Sequence, residues 1–228
     1  MSSPAPRGRI NTPPSPRLYL FTPPLGGDTT FARNLDTALD AADVAAVLLR
    51  LEPSDERTLI NRAKAIGAIV QPRDVALILD GHPEIAARAG ADGAHLTGIE
   101  AFTAALAALK PTRIAGAGGL RSRHDAMLAG ETGADYVLFG EPDRRGSGGR
   151  GGRPPLDAVL DRVEWWADLF EPPCVGYADS LDEVAALAQA GADFVALGDW
   201  LWTHPNGPAA TLAMAAAGLL APAGGAPH

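Results

Sequence analysis

The sequence lacks several features that define common protein classes. It contains one cysteine, Cys174, among 228 residues, which excludes an intramolecular disulfide and a cysteine-based zinc cluster. No run of about 20 apolar residues occurs, so no membrane-spanning helix is expected. Residues 1–17 lack the apolar stretch of a secretory signal. We interpret 1–17 as a disordered leader and 222–228 as a disordered tail, and we expect a cytoplasmic protein.

Positive charge is also scarce. Nineteen Lys and Arg stand against 27 Asp and Glu, giving a formal net charge of −8. This balance disfavours a general binder of nucleic acid or of anionic membranes. Small molecules are the expected partners, and the sequence leaves open a homo-oligomer.

The remaining chain alternates short apolar runs with longer amphipathic segments, a pattern typical of repeated βα units. Eight runs are predicted as strands, at residues 18–21, 44–51, 75–79, 93–96, 113–117, 135–140, 174–178 and 193–198. The segments AGADGAHL, TGADYVLFG and AGADFVALG repeat one unit of helix end, tight turn and strand. A doubly wound sheet is disfavoured because no GxGxxG follows the first strand. We therefore predict one α/β domain, a (β/α)8 TIM barrel over residues 18–221.

In such a barrel the loops that follow the strands build the site at one rim. Asp80 and Glu100 follow strands three and four. Two carboxylates suit Mg2+ when a phosphate supplies further ligands, although both could instead cap helices. Arg50 interrupts an apolar strand, so its charge needs an anionic partner. That partner is either a ligand or, in a structural salt bridge, Glu52 or Asp80.

Further candidates lie on the other loops of this rim. Gly118, Gly119 and Arg121 follow strand five, and Gly140 ends strand six. The segment EPDRRGSGGRGGRPP contains Arg144 and Arg145, which could close over a pyrophosphate or belong to a disordered insertion.

Four other side chains have plainer interpretations. Cys174 is expected to be a small apolar strand residue, and His95 is expected to serve in packing or capping. Trp200 and Trp202 follow strand eight, where they either wall the pocket or bury a subunit contact.

The order of LYLF, VLLRLE, ILDG, ADGAHLTGIE, GADYVLFGEP and GADFVAL resembles the thiamine phosphate synthase family. That family has ADGVHLGQxD followed by GADYxGxGP. The resemblance implies a reaction that joins a pyrimidine diphosphate to a thiazole phosphate with release of pyrophosphate. Magnesium would hold the leaving group.

By this resemblance, Arg50 matches the diphosphate-contacting arginine, while Asp80 and Glu100 match the metal carboxylates. We therefore name Arg50 as the catalytic candidate. The candidates for substrate binding are Arg50, Gly118, Gly119, Arg121, Gly140, Arg144 and Arg145. The phosphorylated small molecules of this reaction are the expected ligands.

The sequence departs from the family pattern at several positions. Leu48 and Glu52 replace the glutamine and lysine around Arg50, and Leu79 and Gly119 replace an asparagine and a serine. The TxTK segment after strand six is missing. A barrel that binds or regulates without catalysis is therefore the alternative. A thiazole tautomerase is less favoured because Arg121 stands where that branch has a histidine.

Asp179 and Asp199 stand where the family has a phosphate loop and a serine. We expect them either to repel a phosphate or to turn outward and cap the helices that follow.

Overall fold

Eight parallel strands close into a barrel, in the order β1 to β8. The computed structural model describes residues 15–27, 30–142 and 152–221. The strands are Arg17–Phe21, Val44–Leu49, Ala76–Asp80, Gly93–Thr97, Ile114–Gly118, Tyr136–Phe139, Cys174–Ala178 and Phe194–Leu197. The predicted (β/α)8 fold is confirmed, and the strand ends differ from the predicted ones by at most two residues.

Within the described residues, helices α1 to α7 each follow the strand of the same number, and α8 and α9 both follow β8. They are Thr30–Leu39, Glu56–Val70, Pro83–Ala89, Ile99–Leu109, Arg123–Glu131, Leu156–Leu169, Leu181–Gln189, Asp199–Thr203 and Pro208–Leu219. Helix α8 is short and was not predicted. Asp55 caps α2, because its carboxylate accepts the Thr58 N–H at 3.0 Å.

The barrel has two apolar layers because side chains alternate between its two faces. One layer packs the strands against the helices, and the other fills the interior with residues such as Tyr19, Leu48, Ile78 and Tyr136. Arg50 follows the end of β2, two positions after Leu48, and Asp80 ends β3, two positions after Ile78, so both share this inward direction. Arg50 and Asp80 therefore stand above the interior plug, at the mouth of the barrel.

The repeated GAD turns have a defined structural role. The Asp135 N–H donates to the Ala115 carbonyl at 2.9 Å, and its carboxylate accepts the Ala115 N–H at 2.7 Å. Asp92 makes the same pair of bonds with Leu77, and Asp193 makes it with Cys174. Each aspartate thus ties the start of its strand to the start of the preceding one, which explains why the motif recurs.

Some of the predictions fall outside the described residues. The proposed leader, apart from residues 15–17, and the proposed tail lie there, as do Arg144 and Arg145. Among the described residues, no helix is both long and apolar enough to cross a membrane. Cys174 is a buried free thiol on β7, as predicted.

Candidate active site

Arg50 lies at the mouth of the barrel with its guanidinium engaged on two sides. Its side chain is only 7% exposed and pairs through Nη2 with the carboxylate of Asp199, which is 64% exposed. Nε donates to the Thr22 carbonyl, and the backbone N–H of Arg50 donates to Thr22 Oγ1 at 3.0 Å. The charge of Arg50 has an anionic partner in Asp199, and this ion pair joins the ends of β2 and β8.

Asp80 is the last residue of β3 and is partly buried at the same mouth. Burial chiefly raises the pKa of the Tyr19 and Tyr136 hydroxyls, and the charge of Asp80 acts in the same direction. Asp80 follows the interior residue Ile78 by two positions on β3, so strand alternation directs it to the mouth above the interior. Glu100 instead lies exposed in the first turn of α4.

A metal site at these residues stays a prediction. Within the described ranges, no group of three or more His, Cys, Asp or Glu side chains could hold a metal ion. Asp80 and Glu100 are both oxygen donors, the ligand type that Mg2+ prefers.

A chain of polar side chains crosses the barrel below the mouth. The Tyr19 and Tyr136 hydroxyls are 2.8 Å apart, and the Tyr136 hydroxyl lies 3.0 Å from His95 Nδ1. The His95 and Tyr136 rings are stacked, and all three residues are buried. His95 therefore packs, as expected, but it is also the top member of a hydrogen-bonded chain that the sequence reasoning missed. The signal was available, because Tyr19 and Tyr136 lie on the inward faces of their strands.

Glu141 brings a carboxylate to the loops after β5 and β6. Its Oε1 accepts the N–H of Gly119, a residue predicted to bind substrate. A Cβ added to Gly118 would collide with Glu141 Oε1 and with His95 Nε2. Gly118 is therefore needed for close packing at this point, and the acid and the imidazole approach the same position above it.

Arg153 ties the loop after β6 to the end of β7. Its guanidinium donates to the carbonyls of Gly140 and Tyr177 at 3.0 and 2.6 Å and pairs with Glu183 at 2.7 Å. Glu183 also accepts the backbone N–H of Asp179 at 2.8 Å. The Asp179 amide lies where the family resemblance places a phosphate loop, so Glu183 accepts a hydrogen bond from one N–H donor of that loop. Asp179 itself is exposed.

A cleft of about 750 Å³ opens on the β4 to β6 side of the mouth. It brings together Glu100, Gly119, Arg121 and Gly140 from the predicted set, and Glu141 also lines it. Arg50 and Asp80 are not among its lining residues. Arg162 fixes the cleft's β5 loop by donating to the carbonyls of Leu120 and Arg121 at 2.7 and 2.6 Å.

Helix α8 is fixed at the opposite side of the mouth by its two tryptophans. Trp200 Nε1 donates to the Ala178 carbonyl at 2.9 Å, and Trp202 Nε1 donates to the Phe21 carbonyl at 2.7 Å. Trp202 also lines a second cleft of about 440 Å³, beside Phe31 and Glu52. These bonds hold Asp199, the first residue of α8, at the carboxyl ends of β7 and β1.

Comparison with known proteins identifies the family. The family model "Thiamine monophosphate synthase" matches residues 18–201. The thiamine-phosphate synthase of Rhodospirillum centenum is 41% identical over 199 residues, covering 86% of this chain and 94% of the relative. That of Hyphomonas neptunium is 38% identical over 208 residues, covering 87% and 91%.

A solved structure with the same fold is the thiamine phosphate pyrophosphorylase from Pyrococcus furiosus. Its TM-score is 0.70 at 19% identity, and the match covers 89% of this chain and 95% of that one. At this identity the structural likeness supports the fold, whereas the curated relatives support the family. The chain belongs to the thiamine monophosphate synthase family.

Proposed function

We propose that this protein is a thiamine phosphate synthase that acts on small phosphorylated substrates in the cytoplasm. It would join hydroxymethylpyrimidine diphosphate to thiazole phosphate and release pyrophosphate. The observation that carries the proposal is the buried Arg50 guanidinium at the barrel mouth, in a chain whose relatives are thiamine-phosphate synthases. A buried arginine is a suitable partner for a diphosphate because its planar fork binds two oxygens at once.

In this reaction the carbon to oxygen bond between the pyrimidine methylene and the diphosphate breaks. The bonding electrons leave with the pyrophosphate, and the thiazole forms the new bond to the methylene carbon. Arg50 would stabilise the charge that builds on the leaving oxygens. The cleft beside the mouth, which Gly119 and Arg121 help to line, would hold the remainder of the substrates.

Magnesium fits the donor chemistry of the mouth. Asp80 and Glu100 are the carboxylates that would hold it, with phosphate oxygens completing its ligands. When bound, the ion would neutralise charge on the leaving group. The protein's own part would be to hold Arg50 and Asp80 at the carboxyl ends of β2 and β3, which are paired strands.

A binding or regulatory barrel without catalysis is the second candidate. It is favoured because three hydrogen-bond donors at the rim are each bound to a carboxylate of this protein. Arg50 holds Asp199, the Gly119 amide holds Glu141 and the Asp179 amide holds Glu183. A thiazole tautomerase is less favoured, since Arg121 stands where that branch has its histidine.

The deciding experiment incubates the purified protein with both substrates and Mg2+ and measures thiamine phosphate. Product is expected, and Arg50→Lys should reduce it strongly because lysine lacks the planar fork. Asp168→Asn, an exposed change at the end of α6 that leads into the start of β7 and therefore lies away from the rim, is the control. A folded protein that binds the substrates but forms no product would favour the binding role.

A further inference from the structure

We propose that Asp199 is an internal counter-anion of Arg50, which the pyrophosphate group must displace in order to bind. The inference rests on the proposed function, because that function makes the diphosphate the ligand of Arg50. It assigns to Asp199 a role in setting the affinity of the anion site. The carboxylate would occupy Arg50 when no ligand is bound and return to it when the product leaves.

The first argument is the burial of Arg50. A guanidinium that is 7% exposed has lost most of its hydration, and a buried charge without a partner is strongly destabilising. The carbonyl of Thr22 takes Nε, but a carbonyl has no net charge. The carboxylate of Asp199 supplies the negative charge at Nη2.

The second argument is the asymmetry of the pair. The Asp199 side chain is 64% exposed, so it can leave Arg50 and be hydrated at little cost. Arg50 cannot follow, since its backbone and Nε are both bound to Thr22. An incoming anion would therefore exchange with Asp199 while the arginine stays in place.

The third argument is that the backbone of Asp199 is held at the mouth. Helix α8 is fixed by the indole bonds of Trp200 to Ala178 and of Trp202 to Phe21, at 2.9 and 2.7 Å. Rotation of the Asp199 side chain is then enough to open or close the pair. After exchange the carboxylate would remain near the bound anion and repel it, which lowers the affinity further.

The test measures binding of inorganic pyrophosphate by calorimetry at fixed salt and fixed magnesium. Asp199→Asn should tighten binding by about tenfold or more, since a unit charge near contact acts strongly even at an effective dielectric near 20. Asp199→Glu keeps the charge and should stay within about threefold of the parent. Asp168→Asn removes the same charge from the exposed end of α6 and should also have less than about a threefold effect.

A double-variant cycle shows whether Asp199 acts through Arg50. In an Arg50→Gln background, Asp199→Asn should change pyrophosphate affinity by much less than it does in the parent. An equal gain in both backgrounds would mean that Asp199 acts on the ligand by general repulsion, and this would overturn the counter-anion role. Unchanged affinity in a folded Asp199→Asn protein would overturn it as well.

A crystal structure of the parent with pyrophosphate keeps the proposal testable if Asp199→Asn does not fold. The ligand is expected on Arg50 with the Asp199 carboxylate rotated away. A ligand on Arg50 with the ion pair still intact, or a ligand elsewhere, would refute the exchange. If the protein forms thiamine phosphate but Asp199→Asn does not bind pyrophosphate more tightly, this inference is refuted and the proposed function stands. If Asp199→Asn binds pyrophosphate more tightly but the protein forms no product, the counter-anion role stands and the proposed function is refuted.

Discussion

Replacing Tyr136 by phenylalanine should destabilise the barrel far more than the same change at Tyr19. Each substitution removes one hydroxyl group from a buried ring, since Tyr136 is 7% exposed and Tyr19 is 2% exposed. Tyr136 is the middle member of the hydrogen-bonded chain of Tyr19, Tyr136 and His95, since its hydroxyl contacts the Tyr19 hydroxyl at 2.8 Å and His95 Nδ1 at 3.0 Å. Tyr19 is an end of that chain.

The expected magnitudes follow from the hydrogen bonds that each change removes. Tyr136→Phe removes the partner of the buried Tyr19 hydroxyl and one partner of His95. Orphaned polar groups cost about 1–3 kcal/mol each, so we expect a loss of about 2–4 kcal/mol in the free energy of unfolding. Tyr19→Phe leaves Tyr136 bonded to His95 and should cost about 1 kcal/mol.

Urea unfolding of the two single variants and of the double variant measures these differences. The double variant should cost less than the sum of the single ones, because Tyr136→Phe no longer orphans a hydroxyl at position 19. Equal losses for the two single variants, or additive losses in the double variant, would refute the account of a connected chain.

Three further predictions concern stability. Burial chiefly raises the pKa of Cys174 from 9.0 to about 12, so the folded state keeps the thiol proton more tightly and stability should fall as pH rises from 9 to 12. Cys174→Ala should make that fall shallower in unfolding curves taken at several pH values, and an unchanged slope would contradict the cause. Asp135→Ala leaves the Ala115 N–H without its carboxylate and should cost about 1–3 kcal/mol in urea unfolding; a cost as small as that of a surface change would count against the clamp. Gly116→Ala would drive a Cβ into the Tyr136 ring, so we expect a loss of about 1–3 kcal/mol or more in the same assay, and a neutral result would show that the ring can move.

The fold could be predicted because its signals are local. Each strand is a short apolar run, and each GAD turn places its aspartate next to the start of the preceding strand. Arg50 could be singled out because it interrupts an apolar strand, and the structure places Leu48, two residues earlier, in the interior of the barrel. Such inferences need only the period of the strand and the order of the chain.

The partners across the rim could not be predicted in this way. Arg50 and Asp199 are 149 residues apart, and no local pattern relates them. The sequence reasoning considered a ligand, Glu52 or Asp80 as the partner of Arg50, and it did not consider Asp199, because only the closed barrel brings the end of β8 near the end of β2. The role of Glu183 was missed for a similar reason, because its contact with Arg153 depends on how the loop after β6 folds back.

The acids at the rim follow from one physical requirement. A site that binds phosphates must present N–H donors and a guanidinium in a partly dry mouth, and such groups are costly to leave unpaired when no ligand is bound. Water can satisfy exposed donors, but Arg50 is too buried for water alone to compensate its charge. In this chain Asp199 and Glu141 stand at that arginine and at the Gly119 amide. An anionic ligand at this mouth would therefore have to compete with the same carboxylates, and under the proposed function the balance between these effects would set how tightly the site holds pyrophosphate.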